Sequence, residues 1–288
     1  MTSADSPRPA SLGNAANLAT AQTFLFAPGD RPERFEKALG YDADVVIIDW
    51  EASVIGANKA QARENTAAFV RNIDCRRVAI RLNPSTGDEF AHDLAALTRF
   101  HKRIAGVFLT MVNSADDLMA AAKALPASLP RVGMIETARG ILNVESIIDT
   151  GKLCRVAFGN MDFQTALSLP PDQDVGLFYP SARMVLASAA AGLPAPIAGA
   201  TENLADLQAF ERSARFERNL GFLGKLCVHP TQLPIARAVF SPSTDEIAWA
   251  HRVIEATQRS HAVMMDGHMV DRPVVDRAKA ILRRASHR

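Results

Sequence analysis

Val132-Gly133-Met134-Ile135-Glu136-Thr137-Ala138-Arg139-Gly140 and Val156-Ala157-Phe158-Gly159-Asn160-Met161-Asp162 are two short apolar runs, each ending on a carboxylate in a turn. If both are strands of a parallel α/β protein, the acids at their C-terminal ends point into one shared pocket, where paired carboxylates can hold a hard divalent cation. Outward from this pair, β-rich runs alternate with helical patterns from Phe24 onward. The strand candidates are Phe24 to Ala27, Val45 to Asp49, Val78 to Leu82, Gly106 to Leu109, Arg131 to Ile135, Arg155 to Phe158, Ala195 to Ile197 and Gly224 to Cys227. The helical patterns between them include Lys59 to Val70, Glu89 to Phe100, Ser114 to Leu125, Ile141 to Ile148, Ser181 to Ala191 and Asp206 to Leu220. Repeated strand-helix units of this number predict a (β/α)₈ TIM barrel. A doubly wound open sheet is the alternative, but no glycine-rich phosphate fingerprint follows the first strand.

The pattern changes near residue 240. Residues 1–20, rich in Ala, Ser and Pro, read as a disordered leader, 21–240 as the barrel, and 241–288 as a C-terminal helical lid or oligomerisation arm. In the arm a helix capped near Ser243 or Thr244 precedes a hairpin-like Asp266-Gly267 turn and a basic last helix.

Composition narrows the function classes. The 288 residues carry 32 basic and 31 acidic side chains, a net charge of +1, so no long-range field recruits nucleic acid or an anionic membrane. No apolar run reaches the roughly 18 residues of a membrane span. A small-molecule substrate is the default. Cys75, Cys154 and Cys227 are an odd, widely spaced set, which fits a reducing cytoplasm rather than a disulfide framework.

Glu136 and Asp162 are the candidate metal ligands. Either alone could be a helix cap, since a helix N-terminus welcomes negative charge, but two acids at consecutive strand ends with glycine nearby favour a metal. Mg²⁺ keeps waters and substrate among its ligands, so two protein carboxylates suffice. Asp49 and Glu51 put two more acids at the same rim. Arg81, closing the third strand, could grip a substrate carboxylate through paired hydrogen bonds or neutralise those acids. His229 reads as a structural histidine bonding its loop, and Cys227 as a packed core thiol. Arg31, Arg34 and Lys37 form a solvated face that becomes a phosphate candidate if the substrate carries phosphates. Asp271 by itself is a turn acid.

The chain resembles the citrate lyase β-subunit-like members of the HpcH/HpaI aldolase superfamily, a group of CoA-ester lyases. The motifs are Leu25 to Phe35 (LFAPGDRPERF), Asp49-Trp50-Glu51 with Lys59 and Ala62-Arg63, Arg81-Leu82-Asn83, Ile135 to Gly140, Phe158-Gly159 with Asp162, Gly221 to Lys225 with His229-Pro230, and Met269-Val270-Asp271 with Pro273. Their order along the chain carries the resemblance. It implies a TIM barrel assembling as a trimer or hexamer, with Mg²⁺ on Glu136 and Asp162. It further implies that Arg81 binds a keto-acid carboxylate, helped by amides near Gly159 and Asn160, and that Asp271 reaches a neighbouring subunit's site as acid/base. Asp271, Arg81, Glu51 and Asp49 are thus the catalytic candidates. The implied reaction is Mg²⁺-dependent cleavage of a 3-hydroxyacyl-CoA thioester, of citramalyl-CoA, malyl-CoA or citryl type, to a keto acid and acetyl-CoA. The alternatives are an aldolase on free hydroxy keto acids and a non-catalytic CoA-ester or metabolite-binding protein. The chain departs from the family pattern at Gln22, Ala52, Met111, Asn113 and Ala198, around the metal pair rather than in it.

Overall fold

The structure, a computed structural model, describes residues 17–72, 76–170, 175–201, 203–259, 263–265 and 268–285. They fall into two compact units, one running through Ala236 and one from Arg237.

The first unit is built on a parallel sheet of seven strands: β1 (Thr23–Pro28), β2 (Val45–Asp49), β3 (Val78–Leu82), β4 (Gly106–Leu109), β5 (Arg131–Ile135), β6 (Arg155–Phe158) and β7 (Lys225–Cys227). Their order is β6-β5-β4-β3-β2-β1-β7, so every neighbour is parallel and each connection needs a crossover. The crossovers carry α1 (Phe35–Leu39), α2 (Lys59–Asn72), α3 (Glu89–Leu97), α4 (Ala115–Ala124), α5 (Ala138–Leu142), α6 (Val144–Asp149), α7 (Asn160–Ala166), α8 (Val175–Ala190) and α9 (Leu207–Leu220). Strands such as Val45-Val46-Ile47-Ile48 are buried at every position, as expected where helices cover a parallel sheet.

The expected strand Ala195 to Ile197 differs. It makes only two isolated parallel bridges, Ile197 to Ala157 of β6 and Ala198 to Lys225 of β7. Pro194 just before it and Pro196 in its middle supply no N–H, which leaves too few donors for a full ladder. The eighth strand of the anticipated barrel is therefore a bridging segment between the two edge strands. Two helical expectations also shift. The Ile141 to Ile148 pattern is split at Asn143 into α5 and α6, and α8 begins before Ser181 and continues through Pro180.

The side-chain period of two then places the chemistry. Phe24, Val45, Ile47, Ala79, Val132, Met134, Ala157 and Leu226 share one core cluster and hence one face of the sheet. Two residues further along, on the same face, stand Phe26, Asp49, Arg81, Glu136 and Gly159. The opposite, N-terminal end of the strands is sealed by Arg155, 1% exposed, which donates to the carbonyls of Ala195 (2.6 Å), Ala21 (2.7 Å), Leu18 (3.3 Å) and Leu223. Of the expected leader, residues 1–16 lie outside the described residues, whereas 17–20 form a turn whose Leu18 is 2% exposed in the core.

The second unit begins within α10 (Leu233–Phe240) and holds α11 (Thr244–Arg259), an antiparallel pair β8 (Val263–Met265) and β9 (His268–Val270), and α12 (Arg272–Ala285). Ser243 and Glu246 cap α11 reciprocally, each side chain accepting from the other's amide. Ala250, Val253, Val270, Ala278 and Ile281 form this unit's own core. The Asp266-Gly267 turn lies outside the described residues. No described helix is long and apolar enough to cross a membrane.

Candidate active site

Asp49 and Arg81 are register partners on β2 and β3, so their side chains meet without any loop having to fold back. The guanidinium lies side-on to the carboxylate, Nε to Oδ1 at 2.7 Å and Nη2 to Oδ2 at 2.6 Å. Nη1 stands 3.3 Å from Glu51, and the ring of Phe26 lies 4.7 Å beneath the guanidinium. The Asp49 oxygens also accept the amides of Glu51 (2.9 Å) and Ser53 (2.8 Å). Burial works to raise the Asp49 pKa, but Arg81 and these donors overrule it and hold the carboxyl below its ordinary value. Burial likewise works against the Arg81 cation, and Asp49 and Glu51 push its pKa further up instead. For Glu51, burial prevails over Arg81, with Asp49 and Asp162 adding repulsion, and its pKa is raised.

Glu136 follows β5 and Gly159 follows β6. Ile135 pairs with Phe158, so the next residues are neighbours, and a Cβ at Gly159 would stand 2.2 Å from Glu136 Cγ. Only glycine leaves the carboxylate its place. Glu136 is 3% exposed, accepts the Met111 amide at 3.3 Å and is hydrogen-bonded to Asp162, an exposed residue in the first turn of α7. Burial first, then the bond and charge of Asp162, push the Glu136 pKa up to about 8 against the pull of Arg81. Asp162 lines a cavity of about 710 Å³ together with Phe26, Asp49, Arg81, Gly159 and Asn160, and Glu136 is buried behind Gly159. Among the described residues no group of three or more His, Cys, Asp or Glu has the arrangement of a protein-only metal cage.

The remaining candidates separate. Asn160 Nδ2 donates to Ala200 O at 3.0 Å, and its Oδ1 occupies the space a Cβ on Gly199 would need. His229 lines the same cavity, and its Nδ1 accepts from the Thr231 amide at 3.3 Å, capping the following turn. Arg34 and Lys37 are exposed, as expected of a solvated face, and also line the cavity. Cys227 is fully buried, and burial pushes its thiol up to about 12. Asp271 belongs to the second unit, where its exposed carboxylate accepts the Val274 amide at 3.4 Å before α12.

Sequence reasoning assigned no role to Lys59, yet its ammonium donates to the carbonyls of Trp50 (2.9 Å) and Glu51 (3.1 Å) and to Asn83, tying down the turn that carries Glu51. Phe26 beneath Arg81 was also missed; its period-two alignment with Phe24 was the available signal. Of the departures, Ala52 lines the cavity, Met111 and Asn113 lie in the loop beside Glu136, Ala198 bridges to β7, and Gln22 precedes β1 at the far end of the strands.

A parallel α/β fold here gathers Glu136 and Asp162 after consecutive strands beside an arginine held by a third acid, a carboxylate-rich site whose oxygens are of the type that hard divalent cations take. The chain belongs to the HpcH/HpaI aldolase/citrate lyase family, whose sequence model matches residues 22–230. It is 32% identical over 271 residues to the citrate lyase subunit beta-like protein of Mycobacterium tuberculosis, covering 91% of this chain and 94% of that protein. It is 30% identical over 273 residues to a (3S)-malyl-CoA thioesterase of Cereibacter sphaeroides, covering 92% and 94%. Its structure resembles that of the M. tuberculosis protein CitE in complex with magnesium, acetoacetate and coenzyme A, with a TM-score of 0.79, 31% identity, and coverage of 93% of this chain and 100% of that one.

Proposed function

We propose that this protein is a Mg²⁺-dependent carbon–carbon lyase that cleaves a 3-hydroxyacyl-CoA thioester, of citramalyl-CoA, malyl-CoA or citryl type, to a keto acid and acetyl-CoA. The observation that carries the reading is the contact of Glu136 with Asp162 beside the Arg81, Asp49 and Glu51 cluster. The pair fits magnesium by its chemistry: both donors are hard oxygens, and a divalent cation favours the ionised form of Glu136 that burial and Asp162 oppose. Bound there, Mg²⁺ supplies a Lewis acid for the substrate oxygen that becomes a carbonyl.

The chain's own residues divide the other tasks. Arg81 orients the keto-acid carboxylate with the N–H groups that Asp49 leaves free, and Asp49, saturated by Arg81 and two amides, holds that arginine in place. Glu51, with a raised pKa, accepts the hydroxyl proton as the carbon–carbon bond breaks. Amides near Gly159 and Asn160 complete the acid's cradle, and Arg34 and Lys37 at the cavity meet the CoA phosphates. The exposed Asp271 of a neighbouring copy returns a proton to the acetyl-CoA enolate. Association as a trimer or hexamer is supported by the apolar side chains that α8 exposes, including Val175, Phe178, Tyr179 and Leu186. In this reading residues 195–198 are the eighth stave of a barrel whose C-terminal unit serves as the arm, and the enzyme works in the cytoplasm, a compartment suited to its free Cys154 and Cys227.

The thioesterase relative favours a second reading, hydrolysis of the thioester. Incubation with Mg²⁺ and a panel of 3-hydroxyacyl-CoA esters distinguishes them. Keto acid with acetyl-CoA, lost in Glu136→Gln, is the expected result. Free CoA with an intact hydroxy acid supports hydrolysis instead. Cleavage of free hydroxy keto acids, uninhibited by CoA, supports the aldolase. Tight binding of the ester without turnover leaves a metabolite-binding protein.

A further inference from the structure

The loop after β4 carries a backbone conformation that its side chains do not explain. Among the described residues only two non-glycines have φ in the left-handed region, Met111 at 53° and Ser168 at 52°. A non-glycine residue held there costs about 1–3 kcal/mol and persists only where its surroundings over-determine it. Ser168 lies in an exposed turn after α7, but Met111 lies against the acid pair.

The surroundings of Met111 do over-determine it. Thr110 Oγ1 donates to Leu82 O at 2.9 Å on the β3 side, and the Val112 amide donates to Met134 O at 3.3 Å on the β5 side. Asn113 accepts the Thr137 hydroxyl through Oδ1 and the Asn143 side-chain amide through its carbonyl, the latter at 2.8 Å. Gly140 lets this loop approach, since a Cβ there would stand 2.7 Å from Val112 O. With both flanks fastened, the turn at Met111 has to be left-handed. Its consequence is an N–H aimed at Glu136 Oε1, 3.3 Å away. With Val112 and Asn113 held, another φ at Met111 requires the Thr110–Met111 peptide that carries this N–H to rotate.

We propose that Met111 is a positioning residue: its left-handed backbone sets the Glu136 carboxylate, through the main-chain N–H, at the angle where it meets Asp162 and a shared cation. The inference rests on the reading of Glu136 and Asp162 as metal ligands and adds to it the device that orients the first of them. The side chain at position 111 matters only through the φ it tolerates, so substitutions sort by backbone preference and not by size or polarity.

The test measures Mn²⁺ binding to the full chain by electron paramagnetic resonance, with thermal melting in parallel. Asparagine tolerates the left-handed region and valine does not. Met111→Asn keeps Mn²⁺ affinity near that of the unsubstituted protein, while Met111→Val weakens it by about 10–100-fold, the range seen when a ligand's supporting contact is lost. Met111→Thr, smaller but also β-branched, is the substitute readout if the valine variant does not fold. Equal affinity in all variants, or a shift in melting temperature without a change in affinity, overturns the positioning role. Absence of Mn²⁺ binding in the unsubstituted protein overturns the metal reading itself, a separate failure.

Discussion

Removing the cation makes the acid pair a pH-dependent weakness, and its size follows from the site. Glu136 has its pKa pushed up to about 8 from an ordinary 4.5. Between those values the unfolded chain has released this proton while the chelator-treated native protein retains it. The unfolding free energy therefore falls as pH rises, at about 1.4 kcal/mol per pH unit. The window spans the 4.5 to 8 interval, so the accumulated loss is about 5 kcal/mol, comparable with the whole stability of a marginal domain. Below pH 4.5 both states hold the proton and the contribution is fully present; above pH 8 both have lost it and the loss is complete. Mg²⁺ removes the slope by taking the proton's place, and its binding near pH 7 releases about one proton per site. Urea unfolding from pH 5 to 9, with chelator and with Mg²⁺, measures both arms. Glu136→Gln, which imitates the protonated acid, flattens the chelator-treated profile. Identical profiles for the unsubstituted protein and Glu136→Gln in chelator would refute the reasoning.

Other substitutions probe the neighbouring contacts. Gly159→Ala forces a methyl to 2.2 Å from Glu136 Cγ, so Mn²⁺ binding is lost at an overpacking cost of about 1–3 kcal/mol; calorimetry showing unchanged binding argues against the close approach. Arg81→Lys keeps the charge but loses the side-on pairing with Asp49, and is expected to raise the Kd for a keto acid at least about tenfold while sparing Mn²⁺ binding. Arg155→Met strands four carbonyls of three segments at the far end of the sheet, each worth about 1–3 kcal/mol when buried and unmet. Urea midpoints should fall accordingly, while turnover per folded molecule is unchanged.

The strand-helix alternation and the two acids at strand ends were legible because hydrophobic period and burial are local properties of the chain. The same period places Asp49, Arg81 and Glu136 one step beyond the core residues Ile47, Ala79 and Met134. The segment around Ile197 was not read correctly, since its apolar composition suggested a strand while Pro194 and Pro196 withheld the donors a ladder needs. The contact of Lys59 with Asn83, and that of Phe26 with Arg81, were also hidden, because each depends on how separate strands are placed.

By itself, the amino-acid sequence determined the strand-helix alternation, most of the elements and the family, all of which follow from residue type and spacing. Only the tertiary structure decided that Asp49 is paired side-on with Arg81 while Glu51 stands 3.3 Å from it with a raised pKa, and that Glu136 meets Asp162 with its pKa raised. Only it showed that Met111 turns left-handed to face Glu136. The physical reason is that charge, burial and hydrogen bonding act through distances of a few ångströms. Those distances are set by strand register and loop anchoring between segments far apart in the chain.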